Sequence, residues 1–253
     1  MNDASKARPM AQNIYDSPEF FENYSRLGRS VEGLEGAAEW PSLRALIPDL
    51  RGLKVLDLGC GFGWFCRWAA GQGAAHVLGL DLSEKMLTRA RAETPDTAIA
   101  YERADLDRLE LPEAPFDFAY SSLALHYVAD AGRLLGQVRR ALRPGSEMVF
   151  SVEHPIFMAS ARPGWSVDEA GNRAWPLNGY SVEGPRTTDW LAPGVVKHHR
   201  TIGTWLNLLI GLGFEIRHVE EWSPTDEQLA AHPEWAEERD RPMFLLIAAR
   251  LKD

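Results

Sequence analysis

The stretch Lys54-Val-Leu-Asp-Leu-Gly-Cys-Gly-Phe-Gly63 decides the fold of this chain. Its first half, residues 54–58, predicts a short buried strand that ends in the glycine-rich turn 59–63. Apolar residues then recur at helical spacing, which predicts a helix after the turn: Phe62, Phe65, Cys66, Ala69 and Ala70. Glycines at such a turn let backbone amides approach a ligand, and the helix N-terminus adds partial positive charge. We therefore expect a nucleotide-like cofactor here.

The turn differs from the dinucleotide-binding fingerprint. That fingerprint requires Gly59-x-Gly61-x-x-Gly, and the sixth position of this chain is Trp64. A large side chain there hinders the close approach of a pyrophosphate. A nicotinamide-dependent oxidoreductase is therefore the weaker of the alternatives for this turn.

Strands and helices alternate outward from the turn. Further strands are predicted at His76–Leu80, Ile99–Glu102, Phe116–Ser121 and Glu147–Val152. Helices are predicted from a cap at Ser83 to about Glu93, and from Ala131 to Leu142, where Pro144-Gly145 follows. This alternation predicts right-handed crossovers and a parallel sheet covered by helices on both faces.

The two ends of the chain are less regular. Two N-terminal helices are predicted at Ser17–Leu27 and Ala37–Leu46, and a late helix runs from Ile202 to near Gly213. Two final strands are predicted at Phe214–Glu220 and Pro242–Ala249, with the acidic stretch Thr225–Asp240 between them as a loop or short helix. Residues 155–200 lack periodicity and are rich in proline and tryptophan. Such long segments are typical of lids or binding loops.

Composition excludes several classes of function. The chain has 253 residues, a net charge of −9 and 45% hydrophobic residues, which suits one α/β domain. The acidic balance disfavours binding to a phosphate backbone, so no nucleic-acid partner is expected. The two cysteines, Cys60 and Cys66, have no Cys/His ligand spacing around them, so no metal is expected. No apolar run is long enough for a membrane span, and a cytoplasmic protein is the expectation.

The same residues resemble the first motif of the class I methyltransferases. In that family an acidic residue precedes a Gly-x-Gly-x-Gly turn by two positions, as Asp57 precedes Gly59, Gly61 and Gly63. The resemblance implies S-adenosylmethionine as cofactor and S-adenosylhomocysteine as product, with Cys60 inside the turn that contacts the amino-acid part. It also implies a Rossmann-like three-layer α/β fold. The sheet would have seven strands and be mostly parallel, with the last strand antiparallel.

Four later stretches match the same family: Leu78–Met86, Ala104–Leu106, Tyr120–His126 and Leu142–Gly145. Asp81 is implied to bind both ribose hydroxyls, although a carboxylate at this place also serves nicotinamide enzymes. The Leu142-Arg-Pro-Gly145 stretch matches the family's turn before strand five. Cofactor contacts are further implied for Leu82, Met86, Asp105, Leu106, Ser121 and His126. Core packing is an open alternative for Leu82 and Met86, a surface turn for Asp105, and capping or packing for His126.

The resemblance divides the single domain 1–253 into four parts. Residues 1–50 are a helical cover, 53–154 the cofactor-binding half, 155–200 an inserted substrate or lid segment, and 201–253 the final helix and two strands. In the cover, Tyr24 and Arg29 are candidates for contact with the cofactor, Arg29 with its carboxylate. A solvated surface arginine is the alternative.

Catalytic candidates lie beyond the cofactor motifs. Methyl transfer is an in-line displacement that depends on alignment, and a general base helps when the acceptor is a protic group. Glu153 and His154 follow strand five, at the edge where open α/β sheets bind ligands, and His198 closes the inserted segment. The aromatic residues of that segment either wall an acceptor pocket or hold the loop to the sheet: Trp165, Trp175, Tyr180 and Trp190.

The predicted function is transfer of a methyl group from S-adenosylmethionine to oxygen, nitrogen or carbon of a small molecule. Strand four ends in Ser121-Ser-Leu-Ala124, not in the Asn/Asp-Pro-Pro-aromatic motif of enzymes that methylate exocyclic amines of bases. This difference disfavours nucleic-acid acceptors. A non-catalytic protein that binds the cofactor is the alternative, and either a monomer or a homodimer is expected.

Overall fold

A seven-stranded sheet runs through the centre of the protein in a computed structural model that describes residues 11–252. The strands of the protein are β1 Lys54–Leu58, β2 His76–Asp81, β3 Ile99–Arg103, β4 Phe116–Ser122, β5 Leu142–Glu153, β6 Ser166–Val167, β7 Arg173–Ala174, β8 Gly184–Thr188, β9 Val195–His199, β10 Phe214–Glu221 and β11 Phe244–Leu251. The central sheet has the order β10-β11-β5-β4-β1-β2-β3. In this sheet β11 runs opposite to the other six strands, which are parallel to one another, and this confirms the predicted sheet.

Helices cover the sheet and connect its strands. They are α1 Pro18–Ser25, α2 Gly28–Val31, α3 Trp40–Leu46, α4 Trp64–Gly71, α5 Glu84–Ala92, α6 Ala131–Ala141, α7 Pro155–Met158, α8 Ile202–Gly211 and α9 Asp226–Ala231. Ser83 caps α5 as predicted, because its hydroxyl accepts a hydrogen bond from the Met86 amide at 3.1 Å. Within residues 11–252, no helix is both long and apolar enough to cross a membrane.

Two hydrophobic clusters lie on opposite faces of the sheet. Neighbouring residues of one strand enter different clusters, as Phe150 and Val149 of β5 do, because side chains alternate along a strand. On one face Phe150 packs with Leu134 of α6 and Trp205 of α8. On the other, Val149 packs with Phe65 of α4. Both faces are therefore covered, as the alternation of strands and helices predicts.

Strand β5 begins earlier than its predicted start at Glu147. It starts at Leu142 and continues through Pro144 and Gly145, and its pairing with β4 is irregular between Phe116 and Phe118. The residue before a proline is biased towards extended conformations, so the expected turn is instead part of the strand.

The segment 155–200 is more ordered than predicted. It holds the short helix α7 and two hairpins, β6 with β7 and β8 with β9. In β9 the buried residues are Val195, Lys197 and His199. Because two of these inward residues are polar, the strand shows no hydrophobic alternation in the sequence, which is why periodicity missed it.

The two ends of the chain also differ in detail from the structure that the sequence predicts. The two predicted N-terminal helices are the shorter α1 and α3, with α2 and a 3₁₀ turn at Gly33–Gly36 between them. The acidic stretch before β11 holds α9 and a 3₁₀ helix at Pro233–Arg239. Residues 1–10 of the predicted cover, and residue 253, lie outside the described residues.

A buried carboxyl group lies in the central strand. Asp57 of β1 is 2% exposed, and its Oδ2 accepts a hydrogen bond from the Cys66 thiol of α4 at 3.2 Å. Burial raises the pKa of Asp57 to about 7, and the charge of Asp81 acts in the same direction while the thiol opposes it. The folded protein therefore favours the protonated form of this carboxyl more than an unfolded chain does.

We expect the Asp57 carboxyl to make folding less favourable as the pH rises. Its folded pKa of about 7 lies above the ordinary value of 3.8, so its favourable contribution is complete below pH 3.8 and is lost by about pH 7. Urea unfolding of the wild type and of Asp57→Asn at pH 5 and pH 8 measures this loss. The wild type should lose roughly 1–3 kcal/mol relative to the variant between the two pH values. An equal difference at both pH values would contradict the prediction.

Replacement by alanine is expected to destabilise the protein much more at Gly59 than at Gly52, a glycine with a similar backbone conformation. Both Gly59 (φ +80°) and Gly52 (φ +75°) are left-handed, but a Cβ at Gly59 would lie 2.2 Å from the Ala124 Cβ, whereas one at Gly52 would meet nothing within 4 Å. Gly52→Ala should cost about 1–2 kcal/mol from the backbone alone. Gly59→Ala should cost about 1–3 kcal/mol more because of the overlap. Equal losses in urea unfolding would show that the contact with Ala124 relaxes freely.

Candidate active site

A cavity of about 790 Å³ opens at the carboxyl ends of the central strands. Residues at or just after the ends of β1, β2, β4 and β5 line it, among them Gly59, Asp81, Leu123 and Glu153. The N-terminal segment, the β8–β9 hairpin and the chain between β10 and β11 close its sides. It is the edge of an open α/β sheet where ligands bind in general.

The glycine turn exposes backbone to this cavity. The amides of Gly59 and Cys60 donate to the Leu80 carbonyl at 2.8 and 2.9 Å, which fixes the turn to the end of β2. Gly61 has φ +53°, and a Cβ added there would meet nothing within 4 Å. The turn therefore leaves open space beside its backbone.

Asp81 connects the glycine turn to helix α5. Its Oδ2 accepts from the Gly61 amide at 2.9 Å and its Oδ1 from the Ser83 amide at 2.8 Å. Burial raises its pKa, and these two bonds oppose that rise. Each carboxylate oxygen accepts more than one hydrogen bond, so capacity is left for a ligand with two neighbouring hydroxyls. Leu82 and Met86 line the cavity beside it.

Asp105 lies at the same end of the cavity, after β3. Its Oδ1 accepts from the Asp107 amide at 3.0 Å and its Oδ2 from the Ala11 amide at 3.2 Å. Leu106 lines the cavity next to it and packs against the core. Asp105 is thus a cavity carboxylate that also holds the N-terminal segment.

The N-terminal segment 11–16 contributes to the lining of the cavity. The Gln12 side chain makes two hydrogen bonds with the β8–β9 hairpin. It donates to the Gly194 carbonyl at 2.8 Å and accepts from the Val196 amide at 2.9 Å. Asp16 accepts from the Ser83 hydroxyl at 2.5 Å, and the Tyr15 hydroxyl donates to that of Tyr127 at 3.3 Å. This segment therefore joins the β2 end of the cavity to the hairpin.

Tyr24 and Arg29 of the predicted cover both line the cavity. Arg29 Nη2 donates to both carboxylate oxygens of the buried Glu39, at 3.0 and 2.9 Å. The solvated alternative for Arg29 is therefore wrong, since this guanidinium is ion-paired and only 22% of its side chain is exposed.

Glu153 and Lys197 form an ion pair at the other end of the cavity. Lys197 comes from β9, and its Nζ lies 4.5 Å from the ring centre of Trp190. His126 accepts a hydrogen bond from the Glu153 amide at its Nδ1, at 3.2 Å. Burial lowers the pKa of His126 well below its usual range, and the charges of Lys197 and Arg200 lower it further. This imidazole is therefore neutral.

Four predicted site residues do not line the cavity. The Ser121 hydroxyl donates to the Leu58 carbonyl at 2.7 Å, inside the core. A Cβ at Gly63 would lie 2.1 Å from the Tyr101 hydroxyl, so this glycine allows packing against β3. His154 Nδ1 accepts from the Ile156 amide and its Nε2 contacts Glu221, each at 3.0 Å. His198 lies on β9 next to Lys197 but on the other face of the strand.

The aromatic residues of the inserted segment divide between the two roles considered for them. Trp190 lines the cavity, whereas Trp165, Trp175 and Tyr180 do not. The first two of these pack around the Arg241 guanidinium, which lies 4.4 Å from the Trp175 ring centre. They hold the segment to the chain before β11.

Several cavity residues were not predicted. Lys197 was not predicted because a lysine at an inward position of a short strand interrupts the apolar pattern by which such a strand is recognised. Tyr15 and Tyr127 come from a 3₁₀ turn each, where no periodicity marks them. Four further aromatic lining residues come from the inserted segment and from the chain around β10 and β11: Phe157, Trp222, Trp235 and Phe244. Among residues 11–252, no group of three His, Cys, Asp or Glu side chains has the geometry of a metal site.

A family of known proteins matches the middle part of the chain. Residues 56–150 match the family described as a methyltransferase domain. A malonyl-[acyl-carrier protein] O-methyltransferase of Erwinia pyrifoliae is 36% identical over 130 residues, which are 51% of this chain and 47% of that protein. An uncharacterized protein of Haemophilus influenzae is 36% identical over 250 residues, 94% of this chain and 96% of that protein.

Two solved structures are similar over most of the chain. The S-adenosylmethionine-dependent methyltransferase of Mesorhizobium loti is 68% identical, with a TM-score of 0.83, over 86% of this chain and 100% of that one. A putative S-adenosylmethionine-dependent methyltransferase of Listeria monocytogenes is 42% identical, with a TM-score of 0.81, over 87% and 100%. With the glycine turn, Asp81 and the seven-stranded sheet in place, the chain belongs to the S-adenosylmethionine-dependent methyltransferases and is an enzyme of that family.

Proposed function

We propose that this enzyme methylates a small molecule bound between Glu153, Lys197 and Trp190, at the opposite end of the cavity from Asp81 and Asp105. One observation carries the proposal: a single cavity of about 790 Å³ contains both groups of residues. Cavities of 300–1,000 Å³ enclose most of a drug-sized ligand. This one has room for donor and acceptor side by side.

The Asp81 end fits the nucleoside part of S-adenosylmethionine. Asp81 has free acceptor capacity for the ribose hydroxyls, and Leu82 and Met86 offer an apolar wall for the adenine. Asp105, which lines the same end of the cavity with Leu106, is proposed to accept a hydrogen bond from the adenine amino group. These assignments follow from the donor and acceptor chemistry of the residues that line the cavity.

The glycine turn and the N-terminal cover fit the amino-acid part. Gly59, Cys60, Gly61 and Asp57 line the cavity, and there is open space beside the Gly61 backbone. Glu39 uses only Nη2 of Arg29 among the described residues, so Nη1 is available for a carboxylate. Tyr24 of the same cover also lines the cavity.

Glu153 is the proposed catalytic residue. When bound, the cofactor supplies a methyl group on a positive sulfur, which any aligned nucleophile attacks. Lys197 holds the Glu153 Oε1, so the carboxylate is positioned and its Oε2 is available to accept the proton of a hydroxyl or amine acceptor. His154 and His198 have no place in this mechanism, because neither lines the cavity.

The class of acceptor and the location of the enzyme are proposed from the net charge of the chain and from its cysteines. The net charge of −9 favours a small molecule over a nucleic acid as acceptor. Both cysteines are free thiols, as is typical of the reducing cytoplasm, which is the proposed location. The relatives named malonyl-[acyl-carrier protein] O-methyltransferase match half of this chain, so we base the acceptor on the cavity of this protein.

Replacing Asp81 by asparagine is expected to weaken cofactor binding about 10- to 100-fold. The amide keeps the shape of the side chain but loses the charge and half of the acceptor capacity, and a hydrogen bond to a charged group contributes about 1.5–3 kcal/mol. Calorimetric titration with S-adenosylhomocysteine measures the change, with Asp49→Asn on the surface as the matched control. Unchanged affinity in Asp81→Asn would remove the ribose assignment.

Glu153→Gln is expected to lower kcat about 10²- to 10⁴-fold on any hydroxyl or amine acceptor found by screening, as loss of a general base does. His198→Gln, one residue from Lys197 but outside the cavity, should leave kcat within about twofold. Release of S-adenosylhomocysteine is the measurement. Equal activity in both variants would mean that alignment alone drives transfer.

A further inference from the structure

Lys197 is an unusual side chain for the wall of an apolar cavity. Only 3% of it is exposed, and it projects from the inward face of β9. Its Nζ lies 4.5 Å from the ring centre of Trp190 and 5.9 Å from that of Tyr127. Aromatic faces attract a cation but accept no full hydrogen bond from it.

The ammonium group has hydrogen-bonding capacity left. It carries three N–H donors, and among residues 11–252 only the Glu153 Oε1 accepts from it. A buried ammonium with unused donors is costly unless a further acceptor meets it. Since Lys197 lines the cavity, an oxygen atom of a bound acceptor is placed to fill this role.

The charges at this end of the cavity favour a negative acceptor. Lys197 and Glu153 cancel each other, and the neighbouring His126 is neutral. Arg200 directs its guanidinium to the Val128 and Ala129 carbonyls. When the cofactor is bound, its sulfonium adds one positive charge to the cavity. Among the described residues, Asp107 and Asp189 also line the cavity, and their carboxylates accept hydrogen bonds from backbone amides, not from Lys197. Beside Lys197, a cationic acceptor would meet a second positive charge, whereas an anionic one would have the ammonium as its counter-ion.

The walls indicate the body of the acceptor. Trp190 and Tyr127 lie next to the ion pair, and four further aromatic side chains line the same cavity: Phe157, Trp222, Trp235 and Phe244. Flat apolar rings pack favourably against such side chains. Because Lys197 and Glu153 touch each other, they serve groups on neighbouring atoms of one molecule.

We propose that Lys197 determines acceptor specificity by binding an oxyanion of an aromatic acid, next to the hydroxyl or amine that Glu153 deprotonates. An ortho-hydroxy or ortho-amino aromatic carboxylate has this arrangement. The inference rests on the proposed function, since it assigns a substrate class to the same cavity. In the reaction, the new bond joins the acceptor oxygen or nitrogen to the methyl carbon, the bond from that carbon to sulfur breaks, and the proton passes to Glu153.

The test compares salicylate with salicylamide, which have the same shape but differ in charge. Each is titrated calorimetrically into protein saturated with S-adenosylhomocysteine. Wild-type protein should bind salicylate at least tenfold more tightly than salicylamide. Lys197→Arg should keep this preference, because it keeps the cation, and Lys197→Met should abolish it.

Lys197→Met alone leaves the Glu153 carboxylate without its ion-pair partner, and this negative charge could itself repel salicylate. A second variant controls for that effect. Lys197→Met combined with Glu153→Gln leaves no buried charge at this place and should also show no preference for salicylate. No preference in the wild type, or a preference that survives in both methionine variants, would overturn the inference. Titration with S-adenosylhomocysteine alone separates the two proposals: intact cofactor binding without salicylate preference refutes only the inference, and absent cofactor binding in the wild type refutes the proposed function.

Discussion

The hydrogen bond from the Gly61 amide to Asp81 is the constraint on which the cavity depends. It ties the turn after β1 to the end of β2, and the second oxygen of the same carboxylate fixes the start of α5 through Ser83. Parallel neighbours bring these two strand ends to one edge of the sheet, so one side chain orders both. Asp16 then binds the Ser83 hydroxyl and brings the N-terminal segment over the same place.

Much of this half of the protein was predictable because local chemistry and fold agree there. The strand, the glycine turn, the Ser83 cap and Asp81 each carry a pattern that depends on few neighbouring residues. Ser121 and Gly63 show the limit of that reasoning. Both lie in matching motifs, yet one is buried by the core and the other makes room for Tyr101, because contacts with other strands decide where a motif residue faces.

The end of the cavity with Glu153 and Lys197 was less predictable because long-range contacts build it. Glu153 was predicted from its position just after the expected end of the fifth strand at Val152, but its neighbour His154, equally placed in sequence, turns away to Glu221. Successive residues of an extended chain point to opposite sides, so which of the two enters the cavity depends on the register of β5 with β11. Lys197 is 44 residues from its partner Glu153, a pairing that no local pattern reveals.

Register in the β8–β9 hairpin therefore controls which side chain of β9 enters the cavity. Lys197 pairs with Arg186, and Arg186 donates to the Ala159 carbonyl at 2.8 Å, which holds the hairpin against α7. A slip of one residue would replace Lys197 by His198 in the cavity. Gln12 opposes such a slip, because its side chain binds the Gly194 carbonyl and the Val196 amide together. The N-terminal segment that contacts Ser83 beside Asp81 thus also fixes the hairpin that carries Lys197, which connects the two ends of the cavity.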